Sequence, residues 1–156
     1  MNKIYLAAPF FNDAQNNRIS AVKHALEQNP TVANVFEPAK HSYKNAEFGT
    51  LEWQKAAFGL DTSQIVKADA VVAIIDYKLE DSDNEADSGT AFEIGFAYGT
   101  RTPIIIVQFD PEKEINLMIR QAMTAYFDVN KNGLTALSNY DFDELMPAFV
   151  TDRPVI

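Results

Sequence analysis

Two unbroken apolar runs constrain this chain more than any other feature: Ala70 to Asp76, AVVAIID, and Pro103 to Phe109, PIIIVQF. Both have the length of strands, not helices, and both are rich in β-branched residues. A strand that is apolar on both faces must be covered on both faces. That is the situation of a central strand in a parallel sheet. Parallel neighbours cannot be joined by tight hairpins, so helical crossovers have to lie between them.

The rest of the chain supplies those crossovers. Residues 3–8, KIYLAA, read as a first buried strand. A helix is expected over about 14–28, capped by Asp13, because Ile19, Val22 and Leu26 recur at helical spacing. Asn29-Pro30 ends it. A second strand is expected at 32–37, then a polar loop at 39–50 and a helix at about 51–67. That helix carries Trp53, Ala57, Leu60 and Gln64 on one side, with Asp61 at the stripe's edge. An acidic loop, KLEDSDNEADSG, follows the first apolar run, and a helix at about 91–98 stops at Gly99. Beyond the second run come a short helix near 115–123, a strand at 124–128 and a last short helix near 141–146. Strands alternating with helices predict a flavodoxin-like, doubly wound α/β fold, its sheet mostly parallel with helices on both faces. No repeat or linker divides the chain, so residues 1–156 read as a single domain. In such sheets ligands dock beyond the C-terminal strand ends. Here these carry Ala7 to Phe11, Asp76 to Asp87, and Phe109 with Asp110.

Composition narrows the chemistry. The absence of cysteine excludes disulfides and thiolate metal sites. Two histidines, His24 and His41, are too few for a multi-histidine cluster, and no metal or organic cofactor is expected. A net charge of −9 repels phosphate backbones, which argues against nucleic-acid partners but not against uncharged small molecules. The N-terminus runs directly into a strand pattern and no apolar run reaches membrane-spanning length. The reading is therefore a cytoplasmic enzyme with neither leader nor anchor.

Several motifs carry more than one meaning. Thr90-Ala91-Phe92-Glu93 fits a capping box, with Thr90 as N-cap and Glu93 folded back onto it. The same carboxylate, in a first helical turn after a central strand, is also held ionised by the helix dipole. There it has the properties of a glycosyl-transfer nucleophile. The two roles exclude each other. A nucleophilic Glu93 must point into the cleft, leaving Asp87, Ser88 or Thr90 to cap the helix. Asp128 to Gly133 matches half a calcium loop, but Asn139 stands where a bidentate glutamate is required, so a polar turn is expected. After the first strand, AAPFF replaces the glycine-rich turn that would cradle a phosphate.

Taken in order, Tyr5 in KIYLAAPFF, then Asn12 to Gln15, Glu52-Trp53 with Asp61, DSGTAFEIGFAYG and Ile115-Asn116-Leu117-Met118 resemble the nucleoside 2-deoxyribosyltransferases. DSGTAFEIGF and INLM are the specific parts. The resemblance, closest to lactobacillus-type members, implies transfer of 2-deoxyribose between nucleobases by double displacement. Glu93 matches the covalent nucleophile, Tyr5 the tyrosine that positions it, and Asp61 the aspartate that meets the base and protonates it on departure. Asp87 matches a residue that holds the sugar, and Phe11 an aromatic beside the base. Asn116 and Met118 match residues that reach a neighbouring subunit's site in a homo-oligomer built from dimers, commonly a hexamer. Ser42 falls near a position where some members carry a base-contacting glutamine, and His41 lies in the same loop. The C-terminus lacks the terminal tyrosine that closes the site in some members.

These residue types suit the chemistry. An oxocarbenium-like transition state is stabilised by a carboxylate on the far face of the sugar. A departing base needs a proton, which Asp61 can give if burial and the nearby Asp87 and Glu93 raise its pKa. The alternative is an N-glycosidase that hydrolyses 2-deoxynucleoside 5′-monophosphates. Purine or pyrimidine preference, tolerance of ribose, and dimer against hexamer stay open.

Overall fold

A computed structural model describes residues 1–77, 86–149 and 151–156. Five parallel strands form one sheet: β1 (Asn2–Ala7), β2 (Val32–Phe36), β3 (Ala70–Ile74), β4 (Ile104–Gln108) and β5 (Ala125–Asp128). Their spatial order is β2-β1-β3-β4-β5, the flavodoxin-type order. The helices are α1 (Asp13–Glu27), α2 (Leu51–Lys67), α3 (Ser88–Gly99), α4 (Leu117–Ala122) and α5 (Val129–Ser138). Most of the acidic loop expected after β3 lies outside the described residues.

Side-chain parity divides the sheet into two cores. Ile4, Leu6, Val72, Ile74, Ile105 and Val107 pack with Ile19, Val22 and Leu26 of α1 and Leu137 of α5. Tyr5, Ala7, Val71, Ala73, Ile104 and Ile106 face the opposite way, against Ile65, Ile94 and Ile119 of α2, α3 and α4. A strand slipped by one residue would exchange these sets, so the double burial holds the register. It also sends Tyr5 to the α3 side.

Three sequence expectations are corrected. The cap of α1 is Asn12, not Asp13: its side chain accepts from the Gln15 backbone N–H at 2.9 Å, and Asp13 is the first helical residue. Asp128 to Asn132 is not a free polar turn but the cap and first turn of α5, which breaks at Gly133 before it continues. The Asp128 carboxylate caps the N–H groups of Asn130 and Lys131, while Leu134 and Leu137 pack against the core. The Gly133 kink (φ 68°) is what disguised the helical pattern. Residues 142–145 form turns rather than a helix; Leu145 and Phe149 take positive φ, which ends regular structure there.

Asp128 also accepts from Arg153 at 2.9 Å, and both side chains are buried. The Arg153 Nε and Nη1 atoms have no partner among the described residues. Asp128→Ala therefore strands a buried cation and uncaps α5. Removing one partner of such a pair costs about 3–5 kcal/mol. Thermal melting is expected to show a midpoint lower by about 10 °C. Adding Arg153→Met should restore most of the loss; a double variant no better than the single one would show that the charge was not the cause.

No helix among the described residues is long and apolar enough to cross a membrane.

Candidate active site

The strand order reverses direction between β1 and β3, and the crevice above their C-terminal ends is the expected ligand position. A cleft of about 360 Å³ opens there. Its walls come from the loop after β1 (Phe10, Phe11), the loop after β2 (His41, Ser42, Phe48), α2 and the start of α3. The expected stripe on α2 is half-buried because Trp53, Ala57, Leu60 and Asp61 form a wall of this cleft.

Helix α3 begins at Ser88, earlier than the sequence pattern indicated, and its N-cap is Asp87. The Asp87 carboxylate accepts from the Thr90 N–H at 2.9 Å and from the Thr90 hydroxyl at 3.2 Å. A Cβ at Gly89 would sit 3.0 Å from that carboxylate, so a side chain there would press on the cap. Thr90 is therefore not the cap, and the Thr90–Glu93 capping box does not form. Glu93 stands one turn further along, lining the cleft, and accepts a hydrogen bond from the Tyr5 hydroxyl.

The electrostatics differ from expectation in an informative way. Glu93 lies in the second turn of α3, where the helix dipole has largely faded. Burial pushes its pKa up to about 7, and the charges of Asp61 and Asp87 add to the rise while the Tyr5 hydrogen bond opposes it. Burial likewise raises Asp61 to about 6, opposed by His41. Asp87 and Glu93 are not what raises Asp61. The like-charge cost falls on Glu93, which ionises after Asp61. Burial and the Glu93 carboxylate drive the Tyr5 phenol far above its ordinary value, so it stays a neutral donor.

The other expected site residues divide. Phe11 and Ser42 line the cleft, and Ser42 Oγ accepts from the Trp53 indole at 3.4 Å. Asn116 and Met118 do not line it. Asn116 caps α4 by accepting from the Met118 N–H at 2.9 Å, and Met118 is exposed beside a separate apolar groove between α3 and α4. The C-terminal segment holds this corner: Ile115 N–H donates to the Pro154 carbonyl and Leu117 N–H to that of Ile156.

Sequence reasoning assigned no role to Gln15, which is buried between the two switch-point loops. Its Oε1 accepts from the Phe11 N–H at 2.6 Å and its Nε2 donates to the Tyr77 carbonyl at 2.8 Å. The signal was present: Gln15 continues the apolar stripe of Ile19, Val22 and Leu26, and a polar side chain on a buried face needs partners. Asp76 is buried as well. It accepts from the backbone N–H groups of Phe109 and Asp110, which ties the ends of β3 and β4 together.

Fold and site together define a flavodoxin-type α/β protein whose switch-point cleft holds a tyrosine-bound glutamate near a second raised carboxyl group. Residues 4–146 match the sequence profile of the family described as nucleoside 2-deoxyribosyltransferase. The chain is 33% identical to a nucleoside deoxyribosyltransferase of Limosilactobacillus fermentum, with 92% of this chain and 88% of that one aligned. Identity to a nucleoside deoxyribosyltransferase of Lactobacillus leichmannii is 28%, over 74% and 76% of the two chains. The structure superposes on a 2-deoxyribosyltransferase of Bacillus psychrosaccharolyticus with a TM-score of 0.81 and 32% identity, covering 96% and 99% of the chains. The chain belongs to the nucleoside 2-deoxyribosyltransferase family, and it is an enzyme of that class.

Proposed function

We propose that this enzyme moves 2-deoxyribose between nucleobases through a deoxyribosyl ester on Glu93, a reaction suited to nucleoside salvage. The observation that carries the reading is Glu93 held by the buried Tyr5 hydroxyl at the switch-point cleft, with Asp61 in the same cavity. Tyr5 occupies one carboxylate oxygen and leaves the other for C1′ of the sugar. Burial makes the Glu93 anion costly, and forming the neutral ester relieves that cost, which favours attack. Asp61, raised to about 6, holds a proton for the departing base and takes one back from the incoming base. Phe11, Phe48 and Trp53 supply apolar surface for a planar base, and Asp87 and Ser42 supply polar contacts to sugar and base.

The distance of Asn116 and Met118 from the cleft of their own chain supports a further part of the reading. Phe58, Phe92, Tyr98, Leu117 and Met118 are exposed on α2, α3 and α4. In a homodimer that buries this apolar face, Asn116 and Met118 would complete the partner's site.

Incubation with deoxyinosine and adenine tests the function. Deoxyadenosine is expected, with one hypoxanthine released per nucleoside formed. Release of hypoxanthine and free deoxyribose alone would make the protein an N-glycosidase instead.

A further inference from the structure

Beyond opposing the rise of the Asp61 pKa, His41 has a place in the cleft that the proposed chemistry does not use. Its ring stacks on Phe36 with centroids 4.3 Å apart, and Phe36 stacks on Tyr5 at 5.6 Å. The imidazole thus ends an aromatic column that begins at the tyrosine holding Glu93. Its Nδ1 lies 2.8 Å from the Glu37 carbonyl oxygen. A carbonyl oxygen can only accept, so Nδ1 carries a hydrogen. In the neutral ring that leaves Nε2, on the opposite edge, as a fixed acceptor. Among the described residues no hydrogen bond to Nε2 is made. His41 is exposed and lines both the cleft and a second cavity of about 310 Å³. Its neighbour Ser42 already accepts from Trp53.

We propose that His41 is a specificity-determining residue, whose Nε2 accepts a hydrogen bond from an N–H group on the edge of the bound nucleobase. This rests on the base-exchange reading of the cleft. The stack and the Glu37 contact fix the imidazole in two directions, so the acceptor is pre-positioned. A base that offers an amino group gains a hydrogen bond. A base with no amino group there leaves the acceptor without a donor.

Adenine and unsubstituted purine share one ring system and differ by the exocyclic amine. Calorimetric titration of each into the enzyme, with no nucleoside present, reads base binding without turnover. Adenine is expected to bind about tenfold more tightly than purine. His41→Phe keeps the stack and should remove that difference, chiefly by weakening adenine. His41→Gln, which returns an acceptor, should recover part of it. An unchanged adenine-to-purine ratio in His41→Phe, or equal losses for both bases, overturns the assignment. The two readings fail separately. Selective binding without exchange of bases sinks the transferase reading but not the role of His41; exchange with unaltered selectivity in His41→Phe does the opposite.

Discussion

Glu93→Gln is expected to lower deoxyribosyl transfer by about 10⁴-fold while making the folded protein more stable above pH 7. The amide oxygen can still accept from Tyr5, but it cannot form the ester. The stability gain follows from the raised pKa. Folding lifts Glu93 from 4.5 to about 7, so the folded state holds this proton more tightly than the unfolded chain does. That stabilisation is complete below the unfolded value and is lost as pH rises through 7. At pH 8 the ionised carboxylate is a net cost, on the order of 3 kcal/mol by conversion of the shift. Removing it should raise the melting midpoint by about 8 °C at pH 8. At pH 4, where the glutamate is already protonated, the gain should vanish. Glu93→Ala is expected to lose transfer to the same extent with the fold intact. Substantial transfer in either variant, or a stability gain that does not change with pH, would remove Glu93 from the role proposed for it.

Asp61→Asn is expected to cost about 10²–10⁴ in rate, the usual worth of a general acid, and to change the shape of the pH profile. The competent enzyme needs Glu93 ionised and Asp61 protonated. With Glu93 at about 7 and Asp61 at about 6, activity should fall on the acid side as Glu93 gains its proton and on the alkaline side as Asp61 loses its own. The optimum in kcat/KM lies near pH 6.5, with only a minority of molecules correctly protonated. Asp61→Asn should abolish the alkaline limb. Its acid limb should then report Glu93 alone, at a pKa below 7, because the Asp61 charge is one of the causes that raise Glu93. The loss should also shrink for nucleosides whose base departs readily without a proton. An alkaline limb that persists in Asp61→Asn would assign that titration to another group.

Much of the fold was legible in the chain because its signals are local. The runs 70–76 and 103–109 could only be central strands, and the stripe at Ile19, Val22 and Leu26 could only be one buried helix face. The elements that were misread are those in which distant packing overrides local pattern. Asn130 and Asn132 look like a turn, yet they lie in a helical turn that Asp128 caps, and after the break at Gly133 the helix resumes because Leu137 is buried. The residues near 141–146 carry a weak helical pattern, yet Tyr140 and Phe142 are drawn into the α1 core and the chain turns instead.

For the site, the sequence by itself determined the inventory: a carboxylate after a central strand, a tyrosine of the right parity on β1, a second carboxyl group on α2, and no phosphate cradle. It could not decide between a capping and a cleft-facing Glu93, since both use the same spacing. That choice belonged to the tertiary structure. Asp87, hydrogen-bonded to Thr90, takes the capping position, and a tyrosine 88 residues away in sequence claims the Glu93 carboxylate. The pKa order of Glu93 and Asp61 was likewise a tertiary matter. Burial and charge proximity in three dimensions raise an ionisable group, and neither is written in the spacing of residues along a chain.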